Sequence, residues 1–352
     1  MAGNDDAKHH RGVIGNAKNF WLYSSKTGFD ITHPPTPSSP PVTPNVTIQT
    51  TTTPITVDPA KSALVIIDMQ NFFLSAAFGR TRGAGHEALD QLVDHAIPAA
   101  RKAGIRIVWL NWGMTDQEID EMPPAVTRAF GFDTLNDEEG ILNGNVFEAK
   151  GAGNAVDKHG GRKHQGGHTV LEDGTKGRKY MGLGSECGVV HCPETGKEIN
   201  AGRLLMRDAW NSALQTPLNR MYEEGAKLAT RPDVWIHKNR MSGLWGGRTA
   251  CEDFLEQEGI RTLFFTGVNT DQCVGGTYLD GFSKGYDCIL LSDGAGTTSP
   301  EYAQQCIEYN AANTCGFSTS CKAFGEGVDA MEKGASADVS GGRADSGAAK
   351  QM

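Results

Sequence analysis

The sequence predicts an α/β protein, a doubly wound three-layer sandwich with a parallel sheet covered by helices on both faces. Two observations carry this. Short β-branched runs without polar alternation recur along the chain, and segments of helical period stand between most of them. The first run is ALVIID (63–68), of the buried-strand type. Residues 86–104 follow with helical spacing at Leu89, Leu92, Val93, Ala96 and Ile97 and a Lys-Ala-Gly stop, Pro98 being a point where a kink is expected. IRIVWLNW (105–112) and VWIHK (234–238) are the next strands. A helix over 248–259 leads to TLFFTGV (262–268), a helix at about 272–284 to YDCILLS (286–292), and a helix over 300–313 to a short strand near 316–320. Right-handed crossovers of such units build a doubly wound sheet.

The rhythm breaks between the second and third strands. The stretch 143–202 is rich in Gly, Lys and His with weak periodicity and is expected to be an insertion, acting as a lid over a site. Residues 1–56 are expected to form a flexible Pro/Thr-rich arm, with the aromatic piece 19–23 able to dock on the body. Residues 326–352 read as a disordered Gly/Ala/Ser/Asp tail, leaving 57–325 as the catalytic-size domain.

Composition narrows the function classes. No run of 18 apolar residues exists, so a membrane-spanning helix is not expected. The start is polar without an apolar signal region, and the eight cysteines of the 352 residues then read as reduced thiols of a cytoplasmic protein. A net charge of −9 disfavours nucleic acid as a partner. The expected partner is a small-molecule substrate.

In an open parallel sheet, ligands bind beyond the carboxyl ends of the strands. Asp68 closes the first strand, Lys238 closes the third, and Cys273 follows the fourth at the mouth of a helix. Singly, each has a plain reading: a turn cap, a solvated amine, a small core residue. Together they form a nucleophile with a base and an ammonium. A helix start and a nearby ammonium are expected to lower the thiol pKa, and Asp68 to act as base and then acid. The loop Gly267-Val268-Asn269-Thr270 is placed to aim backbone N–H groups at an oxyanion. The chemistry this predicts is acyl transfer at a C–N bond through a thioester.

The segments VIIDMQNFF, HKNRMSG and GVNTDQCV resemble, in that order, the motifs of the isochorismatase-like cysteine hydrolase superfamily over roughly residues 60–322, the insertion excepted. The resemblance implies a six-stranded parallel sheet, a catalytic triad of Asp68, Lys238 and Cys273, a cis peptide at Val268–Asn269, and an oxyanion hole from the N–H groups of Asn269 and Cys273. It also implies a homo-oligomer. Nicotinamidases of this superfamily carry an Asp-x-His-x-x-His metal site after the second strand. Here that place reads NWGMTDQEID without His, so no metal and no cofactor are expected. Isochorismatase proper lacks the nucleophilic Cys.

The segment from Lys238 to Gly243, with Asn111-Trp112, most resembles the ureidoacrylate and N-carbamoylsarcosine amidohydrolase branch. The expected function is therefore a cysteine-dependent amidohydrolase acting on small amides, ureido or carbamoyl compounds. Alternatives are an ester, lactone or isochorismate-type hydrolase on the same scaffold, or a non-catalytic interaction protein. Asn111, Trp112, Arg240, Phe73 and Trp245 are the expected substrate-binding residues, with Arg80 and Arg82 as further carboxylate clamps. A rival reading places zinc on Cys187, His191 and Cys192, helped by His159, His164 or His168, although no ligand pair at standard spacing completes that site.

Overall fold

The computed structural model describes residues 9–134, 155–161, 169–170, 176–177 and 182–341. At its centre lies an all-parallel six-stranded sheet formed by β6 (Ser62–Ile67), β7 (Arg106–Trp112), β10 (Val234–Lys238), β11 (Thr262–Val268), β12 (Asp287–Gly296) and β13 (Phe317–Thr319). Its spatial order is β10-β7-β6-β11-β12-β13. Successive strand residues drain alternately into two cores. Val65, Val108, Leu110, Phe265 and Leu290 join one, and Leu64, Ile66, Trp109, Phe264 and Leu291 the other. Both faces are dry, which is why these strands read as unbroken apolar runs.

The helices divide between the two faces. On one lie α1 (Ala84–Gln91), α2 (Ile97–Ala103), α3 (Leu218–Gly225) and α7 (Cys321–Gly341), contributing Leu89, Ile97, Leu218 and Phe324. On the other lie α4 (Ala250–Gln257), α5 (Gly275–Ser283) and α6 (Glu301–Asn313), contributing Leu255, Tyr278 and Ala311. This is the expected three-layer sandwich. The helix expected over 86–104 contains a π turn, Leu92–Ala96, whose Ile97 N–H reaches back to the Leu92 carbonyl, so the hydrogen-bond ladder is already shifted where Pro98 removes a donor. Gly104 stops it at φ +71°.

Two expectations are corrected. Residues 9–56 are not a flexible arm, and the aromatic piece 19–23 docks on the body as expected. They hold β1 (Arg11–Asn16), β2 (Asn19–Ser24), β3 (Gly28–Asp30), β4 (Val46–Ile48) and β5 (Ile55–Val57), a second sheet of order β1-β2-β3-β5-β4. Trp21 and Phe29 each pack tilted against Phe317 with centroids 5.6 Å apart, and the Trp21 indole donates to Asp287 at 2.8 Å. Val46, Ile48, Ile55 and Val57 are fully buried, so four aliphatic side chains in two three-residue strands anchor a polar tract. The tail expected from 326 is instead helical to Gly341, because Phe324, Val328 and Met331 form an i, i+4, i+7 stripe against the core.

Between β7 and β10, two short helices (Asp116–Asp120 and Pro124–Ala129) precede a hairpin of β8 (Val189–His191) and β9 (Glu198–Asn200). Parts of the expected insertion, 143–154, 162–168, 171–175 and 178–181, lie outside the described residues, and His164 and His168 with them. No helix among the described residues is long and apolar enough to cross a membrane.

Phe324 is fully buried with its ring 4.8 Å from that of Phe264, tying α7 to the sheet. Phe324→Ala is expected to lower the unfolding free energy by about 3–5 kcal/mol in urea titrations. A loss below 1 kcal/mol would mean α7 is not part of the cooperative core.

Candidate active site

The site forms where β6, β10 and β11 end on one rim. Asp68 follows β6 in a left-handed turn, φ +54°, a conformation Asp tolerates better than most residues. Its N–H donates to the Leu110 carbonyl at 3.1 Å, and its Oδ1 accepts the Trp112 backbone N–H at 3.0 Å. Gln70, two residues on, sends its amide to the carbonyls of Trp112 and Ser212, both at 2.7 Å, and so fixes the end of β7 beside this turn. Lys238 is the last residue of β10. Cys273 sits in a π turn, Thr270–Val274, between β11 and α5.

The three expected residues converge. Lys238 Nζ lies 2.9 Å from Asp68 Oδ2 and 3.4 Å from Cys273 Sγ, and donates to the Arg240 carbonyl at 3.0 Å. The face of the Trp112 indole lies 4.1 Å from the same ammonium. Relative exposure is 0% for Asp68, 4% for Lys238 and 6% for Cys273, so the charges attract in a medium far less screening than water. The Val268–Asn269 peptide is cis. Asn269 caps the nucleophile turn, its carbonyl accepting the N–H of Gln272 at 3.0 Å.

Burial sets the electrostatics. It pushes the Asp68 carboxyl above its ordinary range, with the Lys238 charge opposing. It pushes the Cys273 thiol up to about 12; the Asp68 charge adds to the rise and the Lys238 charge resists it. The expected acidic thiol is therefore corrected. One ammonium shared with a carboxylate does not offset the loss of water around sulfur. The free site holds a protonated thiol beside the Asp68 carboxyl.

The expected binding residues separate into groups. Trp112 lies against Lys238, and Phe130 meets it edge-on at 5.2 Å. Phe72 links Phe130 (6.3 Å) to the half-buried Phe73 (5.0 Å), which extends the aromatic wall. Arg240 stacks 4.6 Å over the exposed Trp245 and donates to the Asn239 carbonyl, while the Asn239 amide donates to Glu118 at 2.7 Å. Asn111 does not join them. Strand alternation puts it on the face of β7 opposite Leu110 and Trp112, in register with His237. Arg80 lies over Phe72, and Arg82 pairs with Asp90 at the surface.

Phe130 and Glu118 escaped the sequence reading, since one ends and the other lies in a short crossover helix without a motif. Among the described residues no group of three or more His, Cys, Asp or Glu is arranged to hold a metal. Cys187 and Cys192 are buried, whereas His191 is exposed.

Comparison with known proteins places this geometry in context. Ureidoacrylate amidohydrolase RutB of Stutzerimonas stutzeri (strain A1501) is 35% identical over 125 residues, 35% of this chain and 46% of that protein, so the chain aligns with about half the length of this relative. Among solved structures, a cysteine hydrolase from Pseudomonas syringae pv. phaseolicola 1448A is similar at TM-score 0.47 and 15% identity, covering 84% of this chain and 99% of that one. Nicotinamidase PncA from Bacillus subtilis is similar at TM-score 0.44 and 16% identity, covering 74% and 99%. Residues 186–323 match the family model described as Isochorismatase domain. Lys238 and Cys273 both fall inside the matched segment, which spans 138 of the 352 residues.

Proposed function

We propose that the protein is a cysteine-dependent amidohydrolase that cleaves a C–N bond of a small amide, ureido or carbamoyl compound through a thioester. The single observation that carries this reading is the buried contact of Lys238 with both Asp68 and Cys273, at 2.9 and 3.4 Å. The similarity to an amidohydrolase points the same way.

The raised thiol pKa dictates the order of events. The thiol stays protonated until a substrate carbonyl carbon is within reach. Its proton then passes to the Asp68 carboxylate as the sulfur bonds to that carbon and the C=O electron pair moves onto oxygen. Backbone N–H groups of Asn269 and Cys273 receive the oxyanion. As the oxyanion collapses, the C–N bond breaks and the Asp68 carboxylic acid gives its proton to the departing nitrogen. Water then adds to the thioester, Asp68 taking its proton. The C–S bond breaks, and the proton returns to sulfur. Lys238 keeps its charge throughout, holding Asp68 and meeting the sulfur as it becomes negative. Trp112, Phe73 and the Arg240–Trp245 stack supply walls and a guanidinium for the remainder of the substrate.

A panel of ureido acids, carbamoyl amines and primary amides tests this by ammonia release. Cys273→Ala and Asp68→Asn are each expected to lose more than about 10³-fold in turnover. Undiminished ammonia release by Cys273→Ala would overturn the reading, and turnover of esters alone would replace the leaving group.

The pH dependence has a definite sign. The reactive form carries an ionised Asp68, whose pKa burial raises, so kcat/KM falls as pH drops through a value above the ordinary carboxylate range. An acid limb at or below pH 4 would contradict this.

Alkylation of Cys273 tests the electrostatics without turnover. The Asp68 charge raises the thiol pKa while that of Lys238 lowers it, so Asp68→Asn is expected to speed iodoacetamide labelling at pH 8 while abolishing activity. Slower labelling in that variant would reverse the assigned roles.

A further inference from the structure

Trp112 touches Asp68 and Lys238, the latter itself 3.4 Å from Cys273 Sγ, and one of its groups is left over. Its backbone N–H donates to Asp68 at 3.0 Å, its ring face meets the Lys238 ammonium at 4.1 Å, and its carbonyl is held by Gln70 at 2.7 Å. The indole Nε1 is buried without an acceptor. Four of the chain's six tryptophans differ in this respect. The indoles of Trp21, Trp109, Trp235 and Trp245 donate to Asp287, Asp233, His237 and Asn239 at 2.8–3.2 Å. A buried N–H with no acceptor is unfavourable, and such groups in a folded protein call for a reason.

The reason lies at the neighbouring sulfur. A thiol is a weak acceptor and a thiolate a strong one. The Trp112 indole favours the deprotonated form of Cys273. Asp68 from β6 and Lys238 from β10 are the charged groups facing that sulfur, and Lys238 already divides its attraction between Asp68 and the sulfur. A neutral donor that Asp68 does not compete for is the missing element.

We propose that Trp112 is a positioning residue for the cysteine–lysine pair: its ring face seats the Lys238 ammonium, and its indole N–H is held in reserve for the Cys273 sulfur when that atom becomes charged. No bond to Trp112 forms or breaks, and the thiol proton still goes to Asp68. The inference rests on the proposed role of Cys273 but concerns the acidity of the sulfur, which is measurable without substrate.

The test uses the Asp68→Asn protein, in which the thiol is expected to titrate at lower pH. The Cys273 peptide is quantified by mass spectrometry after iodoacetamide labelling at a series of pH values. Adding Trp112→Phe keeps a ring beneath the ammonium and removes the N–H. The labelling profile is expected to move alkaline by about one pH unit, a roughly tenfold slower reaction at a fixed pH below the midpoint. A lowered melting temperature with an unmoved profile would overturn the proposal, because packing alone does not titrate sulfur.

Should that double variant not fold, the same question is put to the Asp68→Asn protein by ¹⁵N–¹H spectra of its indoles. The resonance displaced by Cys273→Ala is expected to move downfield as pH rises through the labelling midpoint. Absence of any pH-responsive indole would overturn the proposal. Retained turnover in Cys273→Ala would remove the hydrolase reading and leave the alkylation result standing, so the two failures are separable.

Discussion

Asp68 and Lys238 face one another across 2.9 Å with almost no access to water, and the remaining features of the rim follow from keeping that contact tolerable. Moving two ions out of water is costly, and their attraction offsets the cost only where the geometry is good and the other donors and acceptors are occupied. Here the Trp112 backbone takes one carboxylate oxygen, the Arg240 carbonyl takes one ammonium proton, and the Trp112 ring covers another side of the ammonium. The sulfur occupies the remaining approach to Nζ.

That arrangement depends on the sheet. β6 and β10 are not neighbours; β7 lies between them and supplies Trp112 at its end. The carboxylate and the ammonium therefore meet over the end of the intervening strand, whose last residue is under both. Cys273 arrives from β11 on the other side of β6, through a π turn that sets it before the first turn of α5. The helices on both faces and the N-terminal sheet, docked on Phe317 and Asp287, keep the strands from shifting relative to one another.

Much of this is written in the chain in simple form. Strands buried on both faces need apolar side chains at every position, so ALVIID and TLFFTGV announce themselves, and a charged residue ending such a run stands out. The fold class and the meeting of Asp68, Lys238 and Cys273 were legible for that reason. The N-terminal sheet was not, because its anchors are three-residue strands inside a Pro/Thr tract. The helical stripe of Phe324, Val328 and Met331 was hidden among glycines and alanines. Asn111 was grouped with Trp112 on the resemblance of that segment, although neighbouring residues on a strand point to opposite faces. The direction of the thiol shift was missed because motif spacing carries charge but not desolvation, and at this sulfur desolvation is the larger effect.

The account turns on the carboxylate and the ammonium stabilising each other inside the protein, and a double-mutant cycle measures that coupling directly. Equilibrium urea unfolding of Asp68→Asn, Lys238→Met and the double variant is the measurement. Each single substitution strands a buried polar or charged group and is expected to cost about 3–5 kcal/mol. The double variant is expected to cost less than their sum by at least about 2 kcal/mol. Losses that add to within about 0.5 kcal/mol would show that the two groups do not interact, and the site would lose its foundation.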